Sequence, residues 1–245
     1  MKEIKLQKYL QNCGLASRRD IRQWIHDGRF KVNHLTVTDP NFVIQLNRDQ
    51  IHFGKKLLKL QMQDKSYFIL NKPVGVVSTL ADPQERSTIR SYITRIKERV
   101  YPVGRLDYNS DGLMLLTNDG DLANFIISAK NQVPKTYLLK IKGELNPATQ
   151  KKLEKGVFLD GERLKPFVIE PVKTTHSGNS WLKVTISEGK KHILRDAFKY
   201  SGHPVEKLRR VAIGNITLKN LPLGEWRELS DWEIAAFKKK YNFPE

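Results

Sequence analysis

The sequence has little cysteine and no long apolar run. Its 245 residues include a single cysteine, Cys13, so an internal disulfide and a cysteine-based zinc site are both excluded. The first residues contain no apolar core of the length that a signal peptide needs, and no later stretch approaches a membrane span. We therefore expect a cytoplasmic protein that is not inserted in a membrane.

Motifs of several common chemistries are also missing. The sequence shows no glycine-rich loop for phosphate binding, no plausible cysteine nucleophile and no histidine spacing typical of a metal site. Its six histidines are scattered along the chain. Acidic and basic side chains remain for chemistry, and we expect neither a metal nor a cofactor.

Acidic residues are few relative to basic ones. The chain has 43 Lys and Arg against 26 Asp and Glu, a net charge of +17. Such an excess indicates a polyanionic partner, and nucleic acid is favoured over a membrane surface because no single basic amphipathic helix is present. The first 60 residues hold 12 basic and 5 acidic residues, so this part is the stronger electrostatic anchor.

The N-terminal part predicts two short helices followed by short strands. Apolar residues recur at helical spacing over residues 6–10, and Ser17 with Asp20 has the form of a capping box that opens the second helix. The first turns of that helix carry three arginines: Arg18, Arg19 and Arg22. Clustered arginines suit bidentate phosphate contacts, and a solvated basic face is the alternative.

A second part follows the polar residues 61–65 and is organised around residues 101–120. Residues 113–116 form a wholly apolar run bounded by turn residues, which predicts a buried strand. The loop before this run carries Asp107, with Arg105 two positions earlier. A rigid strand directly after a polar loop is a good support for a functional side chain. Asp107 is therefore the candidate reacting group, and a structural ion pair is the alternative.

The remaining patterns predict a mixture of strands and helices. We expect strands over residues 67–70, 74–78, 135–141, 181–186 and 211–218, and helices over residues 89–96, 147–153 and 192–200. Asp121 or Asn118 is expected to cap a further short helix, and a capping box at Ser230 and Glu233 to open the last one. Residues 190–210 hold seven Lys and Arg against two acids, which predicts a second basic patch.

The segment LQKYLQNCGLASRRDIRQWIHDGRFKVN resembles the RNA-binding module named after ribosomal protein S-four. The resemblance covers about the first 60 residues and places an S-four-like RNA-binding domain at residues 1–62. In such modules two helices and a short sheet present basic residues to structured RNA. By itself this resemblance implies only RNA binding.

The segments FILNKPVGVVST, PVGRLDYNSDGLMLLTNDGDLAN, KTYLLKIKG and ISEGKKHILRDAFKYSGHPVEKLRRVAIG occur in the order found in pseudouridine synthases of the RsuA-like group. The resemblance implies an α+β fold, with a catalytic domain at residues 65–245 built on a mixed, mostly antiparallel β-sheet flanked by helices. Such enzymes detach uracil from its ribose in RNA, turn the base and rejoin it through carbon 5, without a metal or cofactor.

The resemblance assigns roles to three residues at matching positions. Asp107 matches the nucleophile that forms a transient covalent adduct with the detached nucleoside. Arg195 matches the arginine that pairs with this carboxylate and orients it. Tyr137 matches the aromatic residue that packs on the flipped uracil and moves the proton lost from carbon 5.

Other matching residues are expected to contact the substrate. Arg105 would fill the space left by the flipped base, while Lys72 and Pro73 would shape the pocket wall. Lys190 and Lys191, in the second basic patch, are candidate RNA contacts together with the three arginines of the N-terminal part.

The sequence also departs from the group near the arginine. Asp196 and Ala197 stand where a second basic residue and a bulky aliphatic one are usual, and the preceding residues 192–194, His-Ile-Leu, replace more polar ones. These changes leave the exact target open. The expected substrate is a uridine in ribosomal RNA, with the large subunit preferred, and the expected state is a monomer. The alternatives are a non-catalytic RNA-binding or ribosome-assembly factor and, more weakly, a nucleic-acid hydrolase with Asp107 as base.

Overall fold

The chain divides into two compact units, with the boundary between Lys65 and Ser66. The computed structural model describes residues 3–159, 161–176, 178–190 and 192–244. We refer to the two parts as the N-terminal unit and the C-terminal unit and describe each by itself. In the described part of the chain, every helix is too short or too polar to span a membrane.

The N-terminal unit packs two helices on a small antiparallel sheet. Its elements are β1 (Glu3–Lys5), α1 (Leu6–Asn12), α2 (Arg18–His26), β2 (Phe30–Val32), β3 (Leu35–Val37), β4 (Val43–Gln45), β5 (Ile51–Phe53) and β6 (Lys56–Leu57). Four strands form a sheet in the order β3-β2-β5-β6, and β1 pairs with β4. Both helices are amphipathic, and their fully buried residues Leu6, Leu10, Ile21 and Ile25 pack on Phe30. This burial is the main driving force for the unit.

The predicted helix start at Ser17 is confirmed. The Ser17 side-chain oxygen accepts a hydrogen bond from the Asp20 amide at 3.1 Å, as an N-cap does. The Asp20 carboxylate accepts the Ser17 hydroxyl at 2.6 Å, so the two side chains also bond to each other. On the first turns of α2, which begins after this cap, the side chains of Arg18, Arg19 and Arg22 are exposed.

The C-terminal unit is an α+β fold on a mixed, mostly antiparallel sheet, as predicted. Its elements are β7 (Tyr67–Lys72), a 3₁₀ helix (Ile89–Tyr92), β8 (Tyr101–Pro102), β9 (Asp111–Thr117), α3 (Gly120–Ile127), β10 (Lys135–Ile141), α4 (Pro147–Glu154), β11 (Phe158–Leu159), β12 (Glu162–Arg163), β13 (Val168–Thr174), β14 (Ser180–Ile186), α5 (Ile193–Tyr200), β15 (Val205–Ile213), β16 (Ile216–Thr217), β17 (Trp226–Glu228) and α6 (Asp231–Lys240). The main sheet runs β13-β14-β10-β15-β9-β7-β17, with β16 on β15 and β8 on β9. Within the described residues, the β9–β15 pair is parallel and the other strand pairs of this sheet are antiparallel.

Strand β9 is buried on both faces. Leu113 and Leu115 pack in one apolar cluster with α3 and α6, and Met114 and Leu116 pack in another with the 3₁₀ helix. All four side chains are fully buried. Successive residues of a strand point to opposite faces, so a strand covered on both sides needs a continuous apolar run. The predicted buried strand is therefore confirmed, and the run explains its position inside the sheet.

Two segments predicted as regular elements are shorter in the structure. The helix expected over residues 89–96 is a four-residue 3₁₀ helix, because β-branched residues crowd this stretch and destabilise an α-helix. Its buried Ile89 and Ile93 still pack on the sheet. The strand expected over residues 74–78 contributes only a single bridge, between Val77 and Thr88. Its neighbouring residues form a turn, which Gly75 permits with φ at 78°.

Two further predictions were displaced along the chain. The strand expected over residues 211–218 is the end of β15 followed by a two-residue turn at Gly214 and the short strand β16. Strand β15 begins earlier than predicted, at Val205. Its first half was missed because the buried Arg210 interrupts the apolar alternation by which a strand is recognised in a sequence. The cap of α3 is Asp119, which lies between the two residues predicted; its carboxylate accepts from the backbone amides of residues 121 and 122.

Strands β9 and β15 approach each other closely at Gly112. Arg210 is the register partner of Gly112. A Cβ atom on Gly112 would overlap the Arg210 carbonyl oxygen and lie 2.8 Å from the Arg210 nitrogen, and φ at Gly112 is 109°. Only glycine fits both the close contact and this dihedral angle.

We expect Gly112→Ala to lower the free energy of unfolding of the C-terminal unit by roughly 2–5 kcal/mol, because backbone strain and overpacking add. Gly202→Ala is the matched control: φ is 84° there, but no atom lies within 4 Å of the added carbon. This control should cost only about 1–2 kcal/mol. Urea unfolding of both variants measures the difference, and equal midpoints would show that the close approach has no energetic weight.

Candidate active site

Asp107 lies in the loop between β8 and β9, and its neighbours are fixed by hydrogen bonds. The Ser78 hydroxyl donates to the Leu106 carbonyl at 2.6 Å and accepts from the Leu106 amide at 3.0 Å. On the other side of Asp107, the Tyr108 carbonyl accepts from the Gly75 amide at 2.9 Å. The segment after β7 therefore holds the backbone on both sides of Asp107, whose side chain is 34% exposed.

Arg195 reaches the same loop from the first turn of α5. Its Nη2 donates to the Asn109 carbonyl at 2.8 Å and to the Ser110 hydroxyl at 3.2 Å, and its Nη1 donates to the Val205 carbonyl at 3.2 Å. Its Nε lies 3.9 Å from Asp107 Oδ2. The guanidinium thus ties the loop to the beginning of β15 and places a positive charge beside the carboxylate.

His192 is a second group of the same segment that reaches the carboxylate. Its Nε2 lies 3.3 Å from Asp107 Oδ1. His192 precedes α5 and stands three positions before Arg195, a spacing that brings two side chains to one side of a helix turn. His192 was predicted only as one of the residues that depart from the RsuA-like pattern, and no role in the site was expected for it. That departure and the three-residue spacing to Arg195 were the available signals.

Tyr137 lies on β10, in line with three other residues across the sheet. The strand register pairs Tyr137 with Arg210, Arg210 with Gly112, and Gly112 with Lys72. Paired residues of neighbouring strands lie side by side on the sheet. Tyr137 is partly buried and packs against two apolar clusters, one that includes Leu139 and Leu182 and another that includes Leu70 and Met114.

Two residues of this row are buried cations. Lys72 is fully buried and donates from Nζ to the carbonyls of Pro73 at 2.7 Å and Val76 at 2.8 Å. Burial lowers the pKa of Lys72 to about 8; the charges of Asp111 and Asp107 oppose this shift, and that of Arg210 adds to it. Arg210 is also buried and donates from Nε to the Leu113 carbonyl at 2.7 Å. Through these two hydrogen bonds, Lys72 fixes the backbone of the segment after β7, which in turn holds the Asp107 loop.

The other predicted contact residues of the C-terminal unit are Arg105, Pro73, Lys190 and Lys191. Arg105 is exposed, and Pro73 follows Lys72 at the turn. Lys190 is exposed and pairs with Glu162. Lys191 lies outside the described residues.

In the N-terminal unit, two of the three predicted arginines line a cleft of about 500 Å³. Besides Arg18 and Arg22, the lining consists of Gln7, His26 and residues 38–41, which include the acidic Asp39. Arg19 is exposed on the same helix but does not line the cleft. Arg18 and Arg22, one helix turn apart on α2, therefore face the cleft, whereas Arg19 does not.

The side chains around Asp107 do not form a cluster of metal ligands. Within the residues that the structure describes, no group of three or more His, Cys, Asp or Glu side chains is placed to share one ion. What the arrangement offers is a carboxylate on a fixed loop, flanked by a guanidinium and an imidazole, with a tyrosine on the adjoining sheet. Such a carboxylate can act as a nucleophile or a base.

Comparison with known proteins covers both units. Residues 66–200 match the family described as RNA pseudouridylate synthase, and residues 4–49 match the S4 domain, the module that the N-terminal sequence resembles. An uncharacterized RNA pseudouridine synthase of Aquifex aeolicus is 40% identical over 98% of this chain and 95% of its own length. Ribosomal large subunit pseudouridine synthase B of Bacillus subtilis is 36% identical over 96% of this chain and 95% of its own length. The crystal structure of a pseudouridylate synthase, 29% identical, matches with a TM-score of 0.65 over 95% of this chain and 98% of that one.

The buried Lys72 predicts a lysine that titrates far below its usual range. We expect a Cε resonance in ¹³C NMR of labelled lysines that titrates near pH 8 and is absent from Lys72→Met; the ordinary value is 10.5. Because the unfolded chain keeps this proton up to about pH 10.5, stability should rise with pH between about 8 and 10.5. Lys135, whose pKa burial also lowers to about 8, gives a second such signal, which Lys135→Met removes. If Lys72→Met removes only a signal near pH 10.5, the burial of this ammonium is disproved.

Proposed function

The chain belongs to the RNA pseudouridylate synthase family and is an RNA pseudouridine synthase, and we propose that it modifies a specific uridine of ribosomal RNA. The S4 domain and the net charge of +17 support a structured, polyanionic substrate. The name of the Bacillus subtilis relative, a ribosomal large subunit enzyme that matches over nearly its whole length, favours large-subunit RNA.

The observation that carries the mechanism is the position of Asp107 on a loop fixed by Ser78, Gly75 and Arg195. In the proposed reaction, a carboxylate oxygen attacks C1′ of the target nucleotide, and uracil leaves with the electron pair of the N1–C1′ bond. The base turns, C5 attacks C1′, and the carboxylate leaves again. The C5 proton is then lost and N1 gains one, so the net change is that the C1′ bond moves from N1 to C5 and one proton moves from C5 to N1. Covalent catalysis of this kind divides one difficult exchange into two displacements.

Arg195 and Tyr137 have separate roles in this mechanism. Arg195 orients the carboxylate through its charge and through its hydrogen bonds to the loop, which fix where the attacking oxygen lies. Tyr137 packs on the detached uracil and accepts the proton that C5 loses. Its position on a central strand supports this role because the strand holds the ring in a fixed direction.

The target uridine must leave its stack before Asp107 can reach C1′. Unstacking costs a few kcal/mol and is cheapest in loops and bulges, so the favoured substrate is a nearly unpaired uridine in folded RNA. We assign the space that the base leaves to Arg105, and its exposure two positions before Asp107 supports this role. The basic residues of the N-terminal unit supply phosphate contacts that position the RNA without selecting the base.

The decisive test of the function is a map of pseudouridines in ribosomal RNA from cells lacking the gene, complemented with different variants. We expect one site to be lost and to return with the native protein. Asp107→Asn keeps the shape of the side chain but removes the nucleophile, so it should leave the site unmodified and lower the rate in vitro by at least about 10³-fold.

The matched control for this test is Asp121→Asn, which changes an exposed carboxylate in the first turn of α3. It should restore the site like the native protein. Full restoration of the site by Asp107→Asn would disprove the covalent mechanism. If the cells lacking the gene show an unchanged map, ribosomal RNA is not the substrate and the target is a different RNA.

The cleft of the N-terminal unit predicts a contrast between two arginines on one helix. Arg22→Gln should raise the KM for ribosomal RNA several-fold and reduce the slope of log affinity against log salt by about 1, with little change in kcat. Arg19→Gln removes the same charge outside the cleft and should change both quantities less. Equal effects of the two variants would show that the cleft is not the phosphate-binding surface.

A further inference from the structure

His192 has an unusual backbone conformation for a residue at the start of a helix. Its φ and ψ are 56° and 9°, in the left-handed region, and its side chain makes no capping hydrogen bond to α5. Helix starts usually have extended dihedral angles and a side chain that caps the helix. A left-handed residue other than glycine is strained, and such strain is concentrated at functional sites.

The unusual backbone directs the imidazole to the carboxylate of Asp107. His192 Nε2 is 3.3 Å from Oδ1, while Arg195 Nε is 3.9 Å from Oδ2. The His192 carbonyl accepts from the amide of residue 196 at 2.9 Å, so the first turn of α5 fixes the backbone of His192. The two oxygens of one carboxylate are therefore in different surroundings, with the closer nitrogen at Oδ1.

We propose that His192 is a positioning residue that selects the attacking oxygen of Asp107; this role rests on the proposed function. The Nε2–H group donates to Oδ1 and fixes the rotation of the carboxylate. Among the described residues Oδ2 has no donor as close, and it is the oxygen that forms the bond to C1′. In the resulting ester Oδ1 becomes the carbonyl oxygen and keeps the hydrogen bond from His192.

The same contact assists the second displacement. When C5 attacks C1′, the C1′–Oδ2 bond breaks and its electron pair returns to the carboxylate, so negative charge develops on both oxygens. A donor already placed at Oδ1 stabilises this charge without reorganisation. Both the neutral tautomer with a proton on Nε2 and the imidazolium can donate in this way. The role therefore concerns the chemical steps rather than the binding of RNA.

A purely structural role for His192 predicts a different set of mutant effects. If only its backbone conformation mattered, glycine would be the best replacement, because it adopts positive φ without strain. If the donor matters, His192→Gly should fold well and react slowly. His192→Gln carries an amide that can donate near the position of Nε2, although it pays the strain of the left-handed conformation.

The experiment measures single-turnover conversion of ribosomal RNA from cells lacking the gene, labelled with tritium at uridine C5, by native protein, His192→Gly, His192→Gln and Asp107→Asn. We expect His192→Gly to unfold at a urea concentration equal to or above that of the native protein, and its maximal rate to fall about 10–100-fold. The protein concentration at half-maximal rate should change less than threefold. His192→Gln should be less stable than His192→Gly but react faster.

The outcomes separate this role from the proposed function. A native maximal rate in His192→Gly, or rates that follow stability so that His192→Gln is the slower variant, overturns the role of His192 while the function stands. A loss that appears only in the concentration at half-maximal rate also overturns it, since that result would indicate an RNA contact. If the native protein releases no tritium, the proposed function fails, and the role of His192 fails with it.

Discussion

The parallel contact between β9 and β15 is the constraint on which the candidate site depends. Parallel strands begin at the same edge of a sheet. The loop that carries Asp107 precedes β9, and α5, with Arg195 in its first turn, precedes β15. Pairing of these two strands therefore brings the loop and the helix together at one edge. Gly112 permits the pairing because its missing side chain leaves room for the Arg210 backbone.

Positive groups around the carboxylate are fixed by the main chain rather than by acidic side chains. Lys72 donates to two carbonyls after β7, Arg210 to one on β9, and Arg195 to two others. Backbone acceptors fix these cations without neutralising their charge, although within the described residues Nη2 of Arg210 is buried without a hydrogen-bond partner. The carboxylate of Asp107 therefore lies beside the fixed charge of Arg195, and the charge of Lys72 is close enough to interact with it.

The parts of the fold that the sequence predicted well are those set by local patterns. The apolar run at residues 113–116 identified β9, and the cap at Ser17 identified α2, because burial and capping act within a few residues. Contacts between distant segments could not be derived in this way. The hydrogen bond of Ser78 to Leu106 and the approach of His192 Nε2 to Asp107 Oδ1 join residues far apart in the chain. The proximity of Arg195 to Asp107 was expected from family resemblance, and local patterns alone would not have revealed it. Strand β15 was partly missed for a physical reason, since its buried arginine has no apolar signature.

The β9–β15 contact also has a consequence for biosynthesis. The hydrogen bond from Arg210 to Leu113 joins residues 97 positions apart, and a pairing of such long range forms late because the intervening chain must close first. A ribosome that has just released Asp107 from its exit tunnel has not yet made the strand that completes the site. The nascent protein can therefore fold its N-terminal unit early, but it acquires its chemistry only after most of the chain has been translated.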